Sequence, residues 1–312
     1  MRAGVSVLVP LLVLLAADRL EWSIYAAFGA FTALYGRERV GPLRVRLQTE
    51  VGVLLTGVVA VGVLVGTSAH RAWLAVPLAA LLTAASAVLS DRQRWHPPGA
   101  LFPVFALTAC ASIPSEPGDV VVAALVAGAT AAFALVVGNA GAWLRRRSTS
   151  YAATPAWPER PTGTWRDVAP SAVAVLLAGA VATSSGIGHP YWAMVSAVVP
   201  LVAADPVRQV VRGLHRVVGT AFGLGLAAVL LTLDLEPLAL VLLAVALQVA
   251  AELLIGRNYA VALVAVTPLA LLMVHLVSPV PVGTLLLDRG VETVIGVVIG
   301  LAVGRAAQRL AA

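Results

Sequence analysis

Val120-Val-Val-Ala-Ala-Leu-Val-Ala-Gly-Ala-Thr-Ala-Ala-Phe-Ala-Leu-Val-Val137 runs for eighteen residues without a charge and without alternation of apolar and polar positions. A membrane β-strand needs that alternation, because one of its faces meets lipid and the other the lumen. An unbroken apolar run of this length instead satisfies its own backbone as a helix across a hydrocarbon core of roughly 30 Å. Comparable runs recur at 5–17, 22–35, 47–65, 72–89 and 100–113 before it, and at 168–183, 191–204, 217–233, 238–255, 259–277 and 291–303 after it. Composition agrees, since 60% of the 312 residues are hydrophobic and 12% are charged, about half the charge of a soluble chain. The expected class is an all-α integral membrane protein of about twelve helices.

All 21 basic residues are arginine, and the formal net charge is +6. Such a balance suits nucleic acid, but in a membrane protein arginine also fixes topology at the cytoplasmic face. With the amino terminus cytoplasmic and twelve crossings, eighteen arginines fall inside and only Arg19, Arg71 and Arg289 outside. The outer connections also take Asp18, Glu21, Glu116, Asp119, Asp234, Glu236 and Asp288. That asymmetry accounts for the basic composition without nucleic acid and puts both termini on the cytoplasmic side of a plasma membrane. Met1, Arg2 and the run 5–17 resemble a signal peptide, but Asp18, Arg19 and Glu21 lead straight into the next apolar run, so a first membrane helix is expected.

Residues 145–166, rich in proline, serine and arginine, separate two groups of six runs. The expected organisation is a first membrane repeat over 1–147, a cytoplasmic linker over 148–167 and a second repeat over 168–312. An offset of 170 places Trp22 on Trp192 and Arg46 on Arg216, while Asp119 and Asp288 match at 169. Six crossings per half give parallel repeats related by an axis along the membrane normal. The second, fifth and eighth runs hold about fourteen residues, fewer than the roughly twenty that span a bilayer untilted, so tilted, broken or re-entrant helices are expected there. Short segments at matching places in two halves point to a transporter's binding site.

The stretch His189-Pro-Tyr-Trp192 through Pro200, then Asp205-Pro-Val-Arg208, Arg212-Gly213, Arg216 and Gly219-Thr220, resembles the fusaric acid resistance and aromatic acid exporter family. Trp22, Tyr35-Gly36, Arg44 and Arg46 form a more diverged copy of the same pattern. The resemblance implies secondary export of small amphipathic organic anions, aromatic carboxylic acids above all, driven by the proton gradient. The large soluble domain of many family members is replaced here by the short linker.

Read for chemistry, Asp205-Pro206 is a helix start, an N-cap carboxylate followed by proline at the first position. Arg208, Arg212 and Arg216 recur every four residues, so their guanidinium groups share one face and call for anions: lipid phosphates, Asp205, or a substrate carboxylate held by the planar fork. Arg216, Arg212, Arg46 and Arg44 are the candidate substrate contacts, with Trp192, Tyr191 and Trp22 as aromatic surfaces; a membrane-interface role is open for each of them. Proton coupling points to Asp205, to His189, whose residue type exchanges protons near neutrality, and to Glu252, which pairing with Arg257 would equally explain. The glycine pairs Gly62/Gly66 and Gly219/Gly223 and the series Gly296, Gly300 and Gly304 carry small-xxx-small spacing for close helix packing or a homo-oligomer face.

Cys110 is the only cysteine, so intrachain disulfides and thiolate clusters are excluded. No P-loop, His-Glu-x-x-His, Gly-x-Ser-x-Gly or aspartate-rich metal motif is present, so neither cofactor nor metal is expected and an ATP-driven pump is disfavoured. A membrane enzyme acting on a hydrophobic substrate and a transport-inactive scaffold subunit are the alternatives. The expected partners are the organic anion and membrane lipids.

Overall fold

A computed structural model describes residues 2–37, 39, 41–144, 165–203, 205–233, 235–277 and 280–311, and among these there are helices and no strand. The α-helices are α1 (Arg2–Ala16), α2 (Ser23–Ala30), α3 (Pro42–Gly66), α4 (Arg71–Gln93), α5 (Leu101–Ser112) and α6 (Asp119–Leu144). The second half continues with α7 (Trp165–Ser184), α8 (Tyr191–Leu201), α9 (Pro206–Leu230), α10 (Pro237–Ile255), α11 (Tyr259–Val277) and α12 (Val282–Ala311). Helices α3, α4, α6, α9, α10 and α11 are long and apolar enough to cross a bilayer. The chain is thus an all-α, multi-pass membrane protein. Linker residues 148–164, Arg145 to Arg147, Arg160 and Asp234 lie outside the described residues.

Helix boundaries follow local chemistry. Asp205 accepts a hydrogen bond from the Arg208 backbone N–H at 2.9 Å, and Pro206 starts α9, as the Asp-Pro pair requires. Pro42 opens α3 after Gly41, whose φ of 62° is left-handed and favours glycine. Pro237 opens α10. Pro10, Pro77, Pro170 and Pro268 sit inside helices, where neighbouring helices can supply partners to the freed backbone groups.

The short helices are central. In α8, every residue from Tyr191 to Pro200 is buried, and α2 and α5 are buried over most of their length. A helix encased in other helices meets no lipid and need not match the hydrocarbon thickness, which explains why these segments are short. Helix α2 is further broken by 3-10 turns at Leu20–Trp22 and Phe31–Leu34. Around the centre, α8 packs against α12, α7, α9 and α5, while α3 packs against α6 and α5. Between the halves, α4 packs on α7 and α1 on α10, and α5 meets α8 as α2 meets α11.

Close approach depends on the spaced glycines. Gly296 and Gly300 place α12 against the carbonyls of Ala193 and Ala197 on α8, Gly219 and Gly223 place α9 against Ala260 and Leu263 of α11, and Gly62 and Gly66 place α3 against α5 and the residues after it. In every case the small residues serve packing within the bundle.

Two expectations need correction. Helix α12 begins at Val282 rather than near 291, so Asp288 and Arg289 lie inside it and not in an outer connection. Both are buried, Arg289 at 1% exposure. Charge stopped the apolar run in the sequence, but these side chains face protein and the helix continues through them. The register between the halves also changes. Helices α3 and α9, each of 25 residues, start at Pro42 and Pro206, an offset of 164, so Arg216 corresponds along the helix to Gly52. The connection after Trp22 is simply longer than the one after Trp192.

Candidate functional site

The charged residues of α12 meet the entrance of α8. Asp288, Arg289 and Glu292 fall three and four residues apart and therefore share a helix face. His189 Nδ1 lies 2.8 Å from Asp288 Oδ2, and the His189 backbone N–H donates to Glu292 Oε1 at 3.1 Å. Gly188 makes this possible, because a Cβ there would stand 2.8 Å from Asp288 Oδ2. The His189 and Asp288 side chains are 12% and 10% exposed, whereas Glu292 is fully buried.

One turn deeper, the Arg289 guanidinium lies 3.8 Å from the centre of the Trp192 ring. This is a cation–π contact at short range, but it leaves donors over: Arg289 Nε and Nη1 have no hydrogen-bond partner. Neither does Glu292 Oε2 nor Trp192 Nε1. Buried polar atoms are nearly always partnered, so this concentration of exceptions marks the place. Arg216, buried at 4% exposure, sits near enough for its positive charge to oppose that of Arg289.

Arg216 is held by neutral oxygens alone among the described contacts. Its Nε and Nη2 donate to Ser196 Oγ at 3.3 and 3.2 Å, and Nη1 donates to Tyr259 Oη at 3.3 Å. Arg212 follows, its guanidinium carbon 5.5 Å from the centre of the Tyr259 ring. Arg208, first in the stripe, is exposed. The stripe thus descends from the surface into the bundle, ending at a buried fork.

Aromatic rings close the side of the site that faces the first half of the chain. Tyr191 and Trp192 lie 4.4 Å apart, and Phe105 of α5 stacks on Tyr191 at 6.4 Å and tilts against Trp192 at 5.3 Å. His189, Asp288, Glu292, Arg289, Trp192, Ser196, Arg216, Tyr259 and Arg212 form one polar and aromatic column between α8, α9, α11 and α12. Arg216 stands about 15 Å along α9 from its start, and Glu292 about as far along α12 from its own. The column therefore runs through the middle of the bundle, from the entrance of α8 toward the start of α11.

Of the residues singled out in the sequence, the structure brings together Arg216, Arg212, Trp192, Tyr191 and His189. Arg46 is elsewhere, 78% exposed and paired with Glu50 at 2.8 Å. Arg44 is buried on α3 near Gln48 and Gly138, in a separate polar group where Gln48 donates to the Tyr35 carbonyl and accepts from Asn139, both at 3.0 Å. Trp22 lies under the Arg19 guanidinium at 5.4 Å. Asp205 is an exposed helix cap. Glu252 meets Arg37 at 3.4 Å, an ion pair between residues far apart in the sequence that helix spacing does not indicate, and accepts from Gln248 at 3.2 Å.

Sequence reading missed Glu292 and misplaced Asp288 and Arg289. The signal was present as Asp288-Arg-Gly-Val-Glu292, whose spacing aligns all three charges on one face of a helix.

No curated protein and no solved structure matches the chain. Residues 176–303 match the family model described as fusaric acid resistance protein-like, which covers α8, α9 and the charged part of α12. Over residues 176–303, the part of the chain built around this column is thus similar to fusaric acid resistance proteins.

Proposed function

We propose that the protein is a secondary exporter of small amphipathic organic anions, aromatic carboxylic acids above all, coupled to protons. The observation that carries this reading is the pair of buried guanidinium groups, Arg216 and Arg289, unneutralised by any hydrogen-bonded carboxylate and flanked by Trp192 and Tyr191. Two like charges in a low-dielectric interior are costly alone and favourable around an anion. A carboxylate takes two donors from a guanidinium fork, and an aromatic ring beside it can lie against Trp192. The match of residues 176–303 to the fusaric acid resistance protein-like family model supports transport as the activity.

The two halves are read as parallel repeats. Supporting this, the packing of α4 on α7 is answered by α10 on α1, and that of α5 on α8 by α11 on α2. The arginine asymmetry, with only Arg19 and Arg71 left in the outer connections once Arg289 is placed within α12, supports cytoplasmic termini in a plasma membrane. The site itself is asymmetric, because α6 carries no counterpart of Arg289 and Glu292.

The test is efflux of labelled aromatic carboxylates from proteoliposomes, measured against protein-free vesicles and with or without an uncoupler. Efflux above background that saturates with substrate is the expected outcome. Turnover of a substrate without translocation would replace transport with an enzymatic role, and the absence of both would leave a scaffold.

A further inference from the structure

The column leaves two kinds of buried group unpartnered: donors on Arg289 and one oxygen on Glu292. They lie three residues apart on α12, yet they do not form an ion pair among the described contacts, because Arg289 turns onto Trp192 and Glu292 turns onto the His189 backbone. An anion satisfies the first group and repels the second. A proton satisfies the second. Neither ligand alone completes the site.

We propose that Glu292 is the proton-binding group of this site and takes up one proton for each anion that Arg289 and Arg216 bind. The proposal rests on the anion-site reading above. The step balances simply: a carboxylate enters from water as A⁻, a proton enters from water, and Glu292 becomes the neutral acid with its O–H available as a donor. No bond of the ligand is made or broken.

The surrounding charges give the sign. From α12 the groups facing Glu292 are Asp288 and Arg289, and from the α8 entrance His189 and Tyr191; Arg216 of α9 and Tyr259 of α11 stand beyond Arg289. Helix α5 contributes Cys110 near Tyr191, and the described side chains of α7 include no charged group. Asp288 Oδ2 lies 2.8 Å from His189 Nδ1. An incoming anion would thus be a further negative charge beside Glu292, and protonation removes that repulsion. Anion and proton therefore bind cooperatively, and by linkage each raises affinity for the other equally. The loaded site carries the acid as anion plus proton, so the pair crosses without moving net charge and export draws on the gradient of the acid itself. His189 and Asp288, the partly exposed members, are the proton's entry point.

The experiment uses the full chain in detergent, with benzoate as the probe, in weakly buffered solution carrying a pH indicator. In alkaline solution the wild type is expected to take up about one proton per benzoate bound, and its Kd to rise toward tenfold per pH unit. Glu292→Gln is expected to bind benzoate with no proton uptake and a flat pH profile. Infrared difference spectra give a second readout: a protonated carboxyl band should appear on adding benzoate to wild type and persist in Asp288→Asn. Binding without proton uptake, or with release, overturns the coupling while the anion site stands. Uptake that survives Glu292→Gln, or a carboxyl band that vanishes in Asp288→Asn, overturns the assignment to Glu292. If the wild type does not bind benzoate at all, the aromatic-anion reading falls and the coupling falls with it.

Discussion

Arg216 and Arg208 belong to the same stripe, but their surroundings separate their roles. Arg216 is buried and its fork is held by Ser196 and Tyr259, whereas Arg208 is exposed one helix turn from the cap. A hydrogen bond to a charged group contributes about 1.5–3 kcal/mol. Arg216→Ala is therefore expected to weaken aromatic carboxylate binding about 10–100-fold and to abolish export. Arg216→Lys should restore little, because lysine keeps the charge and loses the planar fork. Arg208→Ala should bind as wild type does. Isothermal titration on the three variants checks this, and wild-type affinity in a well-folded Arg216→Ala would reduce the stripe to a topology anchor.

At the scale of elements, the contact of α12 with α8 sets the geometry of the site, since it carries Arg289 and Glu292 to His189 and Trp192. Gly296 lies against the Ala193 carbonyl, where a side chain has no room to move backbone aside. Gly296→Val is expected to cost about 1–3 kcal/mol or more through overpacking and to lower the thermal midpoint together with anion affinity. Gly225 on α9 provides the contrast, with open space where its Cβ would go. Gly225→Ala should be neutral or stabilising by up to about 1 kcal/mol, with affinity unchanged. Equal destabilisation by the two substitutions would show that the α8–α12 approach is not special.

For the molecule as a whole, the proposed twelve crossings would leave the two termini on one side. Cys110 is fully buried and is the only cysteine, so Cys110→Ser provides a background for labelling. Single cysteines at Leu310, at the end of α12, and at Gln93, at the end of α4, are expected to react only from the cytoplasmic side, and one at Leu233 only from the other. Labelling of Leu310 and Gln93 from opposite sides would overturn the crossing count and with it the parallel-repeat reading.

The membrane class, the number of helices, the start of α9 at Asp205-Pro206 and the arginine stripe that ends at Arg216 were all legible in the sequence. Each rests on local chemistry: the length of an apolar run, a capping carboxylate before proline, four-residue spacing of charge. The site's full composition was not legible, for a physical reason. A charge ends an apolar run when lipid is the only neighbour considered, and Arg289 and Glu292 were therefore assigned to a boundary or passed over. Their environment is other protein, supplied by α8 and α9 about a hundred residues or fewer away in sequence. Likewise the exposure of Arg46 and the capture of Glu252 by Arg37 depend on how helices distant in the chain pack. Sequence by itself determined what each segment is; only the tertiary structure decided which face of each segment meets protein, and so which charges are buried together.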